Sequence, residues 1–172
     1  MNSSMRTLAL LCLSLPLAAA VADAAPPAPA NPFEPMAFLA GHCWKGTFPG
    51  KPQTDQHCFE WVYEQRFLRD RHVVKTPGKP DYQGETIYYW DPDTKQIQYL
   101  YIESDGGYSK GTVSPAADGL EFPSTSYVNN GQEQVYRSRW LRSGDAGYNA
   151  VTEFQTKDGW KIAWQLAMQR QQ

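Results

Sequence analysis

The sequence predicts an all-β fold: a single closed antiparallel up-and-down barrel of roughly ten strands, preceded by a short N-terminal helix. Three observations predict it. Short alternating segments recur between turn signals from residue 42 to the end of the chain. Helical periodicity is confined to the region before them. Aromatic residues make up 13% of the chain and fall mainly inside the alternating segments, where rings favour strands and fill a small barrel. Consecutive hairpins with no crossover helix argue against a parallel sheet. A two-sheet sandwich is the structural alternative.

The chain opens on an export signal. Arg6 supplies a positive charge, residues 8–21 are apolar except for Ser14 and Pro16, and Ala22 and Ala24 frame a cleavage site. A membrane-spanning helix needs about 20 apolar residues; Pro16 and Asp23 cut this one short, and no later segment qualifies. Residues 1–24 therefore read as a signal peptide, and the product as exported, periplasmic or secreted, with no integral membrane segment after cleavage. Residues 25–35, rich in Pro and Ala, read as a stiff tether, and residues 36–172 as one barrel domain. Cleavage removes one base, Arg6, and one acid, Asp23, so the net charge stays at −2. That balance gives no electrostatic basis for a nucleic-acid or anionic-membrane partner. The oligomeric state is left open.

Within the domain, residues 33–39 are expected to make one or two helical turns stopped by Gly41. Strands are expected near 42–48, 55–64, 66–75, 83–91, 95–103, 108–114, 119–122, 125–129, 133–142, 147–156 and 160–170. Asp91-Pro92-Asp93-Thr94 is a β-turn with Pro at its second position. Ser104-Asp105-Gly106-Gly107, Asn129-Asn130-Gly131 and Ser143-Gly144-Asp145 break later strands. In the last strand Trp160, Ile162, Trp164, Leu166 and Met168 form one bulky face. A three-residue turn at Lys157-Asp158-Gly159 places Thr156 opposite Trp160, Phe154 opposite Ile162 and Thr152 opposite Trp164.

Phe38-Leu39-Ala40-Gly41 leading into Trp44-Lys45-Gly46 is similar to the opening of lipocalin-like barrels. Tyr88-Tyr89-Trp90-Asp91, Ile102-Glu103-Ser104-Asp105 and Gly111-Thr112 resemble an uncharacterised bacterial exported family of such barrels. The closing strand, with Trp164 and Arg170, is similar too, since related barrels set a late basic residue against the first-strand Trp. The resemblance spans roughly residues 36–170 and implies a ligand-holding barrel without naming the ligand.

Two motifs invite a chemical reading and fail it. Gly107-Tyr108-Ser109-Lys110-Gly111 has the spacing of a nucleophile elbow. The elbow needs a following helix and a later histidine, and no histidine follows His72. His42-Cys43 with His57-Cys58 mimics a zinc site, yet neighbours on a strand point to opposite faces. Once Cys12 leaves with the signal, Cys43 and Cys58 are the remaining cysteines, and an oxidising compartment pairs them as a disulfide.

That disulfide anchors a register. With Cys43 opposite Cys58, Trp44 lies opposite His57 and His42 opposite Phe59. A tight turn at Glu64-Gln65 then sets Trp61 against Leu68, Phe59 against Asp70 and His57 against His72. Trp44, Phe59, Trp61 and Tyr63 share the bulky inner face, and with Trp164 they are the candidate ligand-binding residues. His42, His57, His72 and Asp70 project inward together and are the candidate metal ligands, since imidazoles plus a carboxylate suit zinc, iron or copper. The competing reading is a hydrogen-bonded polar cluster at the barrel mouth.

A non-enzymatic protein binding a small, partly apolar molecule is the function these features favour. A metal-dependent enzyme or metal-binding protein using the His/Asp cluster is the second reading, and a ligand-free structural or interaction module the third. No cofactor is required by the sequence. Haem is disfavoured, because haem-holding barrels of this shape use a late histidine.

Overall fold

The computed structural model describes residues 31–172; the expected signal peptide and most of the expected tether lie outside the described residues. Ten strands form one closed antiparallel barrel: β1 (Cys43–Thr47), β2 (Thr54–Val62), β3 (Phe67–Lys75), β4 (Tyr82–Asp91), β5 (Gln96–Glu103), β6 (Tyr108–Ala116), β7 (Gly119–Asn129), β8 (Gln132–Arg142), β9 (Gly147–Thr156) and β10 (Gly159–Arg170). Each strand pairs with its neighbours in sequence, and β1 closes on β10. A closed sheet has no free edge. Among the described residues, no helix is long and apolar enough to cross a membrane.

In place of the expected N-terminal helix the structure has a single 3-10 turn, Glu34–Met36. Pro32 and Pro35 remove two backbone donors, and the bonds that form are of the tighter kind: Met36 N–H to Phe33 O at 2.9 Å and Leu39 N–H to Met36 O at 3.0 Å. The period of three brings Phe33, Met36 and Leu39 to one side, each no more than 2% exposed. They plug one end of the barrel. Phe33 meets Trp61 edge-to-face at 5.6 Å, and the Trp44 indole donates to Leu39 O at 3.2 Å. Packing therefore begins by Phe33, earlier than the expected domain boundary at residue 36.

The first two hairpins follow the disulfide. Cys43 and Cys58 are bonded and directly opposite, Trp44 pairs with His57, and His57 pairs with His72, Phe59 with Asp70 and Trp61 with Leu68. The cysteines face outward, so Trp44, Phe59 and Leu68 face the core. Trp44 also lies opposite Arg170 across the β1–β10 closure.

The last hairpin differs. Its turn has two residues, Lys157 and Asp158, because Gly159, with φ of 102°, already pairs with Thr156. The near half of β10 is thereby slipped by one residue, which reverses its faces. Ile162 lies opposite Glu153 and is 61% exposed, and Trp160 covers the Arg137 guanidinium at 4.4 Å on the outside. A bulge at Ala163 restores the expected parity. Trp164 pairs with Thr152, Leu166 with Ala150 and Met168 with Tyr148, all turned inward.

β7 runs as one strand where two were expected, with a register shift between Phe122 and Thr125. Pro123 falls in that shift and has no N–H to donate to a ladder. The β6–β7 ladder is also interrupted between Ser109 and Ser114. Side chains stand in there: Ser109 Oγ donates to Ser126 O at 2.8 Å and Thr125 Oγ1 donates to Lys110 O. Ser109, at the centre of the elbow-like motif, is thus a buried strand residue.

Two outcomes follow from this packing. Reducing the disulfide should lower stability by about 3 kcal/mol, the chain-entropy estimate for a loop of this size, in denaturant titrations with and without reductant. Leu166→Asp should abolish cooperative unfolding, because the charge enters an apolar interior unpaired. Gln165→Asp, on the outer face, should stay within about 0.5 kcal/mol of the parent.

Candidate functional site

A cavity of about 650 Å³ opens at the barrel end opposite the plug. Its mouth is formed by the β1–β2 turn, with Phe48, Lys51 and Gln53, together with Tyr82, Tyr127 and Phe154. Deeper walls are supplied by Tyr88, Tyr99, Phe122, Tyr136, Trp140 and Tyr148. The alternation of each strand places these rings inside, and the lining is mainly apolar.

One wall is polar. β2 contributes Asp55 and His57, and β3 contributes Asp70 and His72. His57 Nδ1 lies 2.7 Å from Asp70 Oδ2, and His57 Nε2 lies 3.2 Å from Asp55 Oδ2. His72 Nδ1 faces Asp55 Oδ1 at 3.4 Å, while His72 Nε2 is held by the Tyr101 hydroxyl at 3.1 Å. Tyr101 is bonded in turn to Tyr82, hydroxyl to hydroxyl at 2.5 Å. The two imidazoles lie 4.6 Å apart, centre to centre. Gly84, directly opposite His72, makes this possible: a Cβ there would collide with the His72 ring.

The electrostatics follow from burial and pairing. Burial opposes a charge on His57, but Asp70 and Asp55 on either side outweigh it and raise its pKa well above the ordinary 6.5. Burial likewise opposes the Asp55 charge, yet His57 and His72 hold that carboxyl well below the usual carboxylate range. Asp70 is 2% exposed and its Oδ1 has no hydrogen-bond partner, as is also true of Asp55 Oδ1 and His72 Nδ1. Burial keeps the Tyr82 and Tyr101 hydroxyls neutral, pushing both above the ordinary phenol value.

Of the expected metal ligands, the structure brings together His57, His72 and Asp70. His42 is exposed and stands beside Trp44 at 6.2 Å. It precedes β1, on the plug side of Trp44, and accepts from Phe59 N–H through its backbone carbonyl at 3.0 Å. Asp55, which the sequence reading missed, takes its place; it lies two residues from His57 on the same face, and the disulfide register could have found it. Among the described residues, Asp55, His57 and His72 are the group whose possible ligand atoms fall within 4.8 Å of one another.

The expected ligand-binding rings are mostly elsewhere. Trp164 lines the cavity. Trp44 and Phe59 are packed in the core beneath it, and Trp61 lies under the plug against Phe33. Tyr63 is in the β2–β3 turn, with positive φ, and is 77% exposed. The cavity rings come chiefly from β4 to β9 instead.

The paired charges predict how stability depends on pH. His57 has a raised folded pKa, so its contribution is complete below about pH 6.5 and is lost as pH rises through the folded value. Asp55 has a lowered one, so its contribution is complete above about pH 4 and is lost as pH falls. Metal-free protein should therefore be most stable between these limits in urea titrations. In Asp70→Asn the alkaline decline should shift to lower pH, and imidazole NMR should show His57 releasing its proton nearer the ordinary value. No protein-family model matches the chain, and no curated protein matches it.

Proposed function

We propose that this protein is an exported, non-enzymatic carrier that takes up a small, mainly apolar molecule bearing one polar group. The observation that carries this reading is the cavity: about 650 Å³, open at one end, walled by rings and provided with one polar side. Ligand sites commonly measure about 300–1,000 Å³ and combine an apolar lining with a few placed polar groups. The occupant's apolar body would lie against Tyr99, Phe122, Trp140 and Tyr148. Its polar end would meet the Asp55–His57–His72 wall, which favours a hydrogen-bond donor or a positive charge.

Export is supported by the N-terminal signal pattern and is consistent with the Cys43–Cys58 bond. The closed up-and-down barrel, the end plug and the Trp44–Arg170 opposition support the lipocalin-like reading.

Titration with the apolar fluorophore N-phenylnaphthylamine tests the proposal. Saturable micromolar binding is expected, with quenching of tryptophan emission. Ala150 faces the cavity, and Ala150→Phe should weaken binding at least about tenfold while near-ultraviolet dichroism is retained. Absence of binding, or equal binding by the variant, overturns the reading.

A further inference from the structure

Asp55, His57 and His72 converge from two adjacent strands on the cavity wall, and one polar group on a carried ligand does not require all three to converge. We infer that these three side chains bind one divalent first-row transition-metal ion, with Asp70 and Tyr101 orienting the two imidazoles.

The spacing supports this first. A tetrahedral zinc ion with bonds of about 2.0–2.1 Å holds its ligand atoms about 3.3–3.4 Å apart. His57 Nε2 and Asp55 Oδ2 are 3.2 Å apart, and His72 Nδ1 and Asp55 Oδ1 are 3.4 Å apart. These two contacts use different oxygens of Asp55; with one ligand atom taken from each residue, all three lie within 4.8 Å of one another, and the side chains need only draw closer to meet one ion.

The surroundings have the form that metal-bound histidines require. A ligating imidazole is held by a hydrogen bond at its other nitrogen, usually to a carboxylate or another fixed polar group. Here Asp70 holds His57 Nδ1 at 2.7 Å, which directs Nε2 towards Asp55. Tyr101, itself fixed by Tyr82, holds His72 Nε2 at 3.1 Å, which directs Nδ1 towards the same carboxylate. Gly84 leaves room for the ring in that pose.

Hydrogen bonding alone does not account for the cluster. A proton network Asp55–His57–Asp70 satisfies His57, but it leaves Asp55 Oδ1 and His72 Nδ1 buried, facing each other and unpartnered. A buried polar atom left without a hydrogen bond is destabilising, and a cation between these two removes both costs. Charge points the same way. Among the described residues, the recorded ion-pair partners of Asp55 and Asp70 are histidines, with no Lys or Arg joining them. Two imidazoles with one carboxylate favour zinc, cobalt, nickel, iron(II) or copper(II) over magnesium or calcium.

The test uses untagged, disulfide-bonded protein stripped with chelator and titrated with zinc or cobalt(II) at about pH 8, where ligands bind deprotonated. One equivalent should bind with micromolar or tighter affinity. The cobalt form should show two paramagnetically shifted imidazole N–H signals, at His57 Nδ1 and His72 Nε2, both slow to exchange. Tyr101→Phe should weaken binding about tenfold or more with one equivalent retained, His72→Gln should weaken it further, and His42→Ala should leave it unchanged. No saturable binding, binding that survives His72→Gln, or a cobalt spectrum without shifted imidazoles overturns the inference. If His72→Gln does not fold, the cobalt spectrum of the parent decides. N-phenylnaphthylamine titrated in chelator separates this inference from the carrier reading: probe binding without metal binding removes only the metal, and the converse removes only the carrier.

Discussion

The direct opposition of Cys43 and Cys58 is the constraint from which the polar wall follows. A covalent link between facing positions allows one register for β1 and β2, and the short turn at residues 63–66 carries it unchanged into β3. Side chains alternate with a period of two, so a slip by one residue would put Asp55, His57, Asp70 and His72 outside and the cysteines inside. Four polar groups share one interior wall because a sulfur bridge lies on the opposite face of the same strands.

Stability alone would not select such a wall, even though its charges support one another once paired. Taking carboxylates and an imidazolium out of water costs several kcal/mol per ion before their attraction is counted, and well-packed apolar residues often serve a fold at least as well. The plug, the Trp44 hydrogen bond and the apolar floor of Phe59, Leu68 and Met168 supply packing that does not involve the cluster. Asp70, almost wholly buried with one oxygen unpartnered, is the clearest case of a group kept at a cost. That cost is the physical reason to look for function on this wall.

The parts of this architecture that could be read from sequence are those tied to a local signal. Alternation and turn residues locate all ten strands, and the cysteine pair orders the inner faces of three. The same parity would have put Asp55 beside His57, but the sequence reading passed it over and chose His42, which is exposed beside Trp44. No comparable anchor exists from β4 onward, so Tyr99, Tyr101 and Trp140 could be assigned to strands but not to a shared cavity, and Tyr82 was left outside the expected strand. In β10 the difference between a two- and a three-residue turn reversed Trp160 and Ile162. The bulge at Ala163 then returned Trp164 and Leu166 to the interior. Periodicity cannot register a bulge, since the extra residue leaves composition and spacing looking regular. The N-terminal turn was misjudged for another reason: burial at every third position looks helical until the prolines at 32 and 35 are counted as missing donors.

The interrupted ladder between β6 and β7 bears on how a molecule reaches the interior. Across Ser109 to Ser114 the two strands are not joined by a continuous register, and hydroxyls of Ser109 and Thr125 bridge part of the gap. Such a seam opens at lower free energy than the fully laddered strands, because fewer backbone bonds must break together. Phe122, Tyr127 and Tyr136 line the cavity on this side. The break in the β6–β7 ladder therefore lies next to the aromatic lining. Transient parting there would widen the vessel sideways without undoing the sulfur bridge or the plug, so an occupant broader than the resting mouth could enter through a breathing slit.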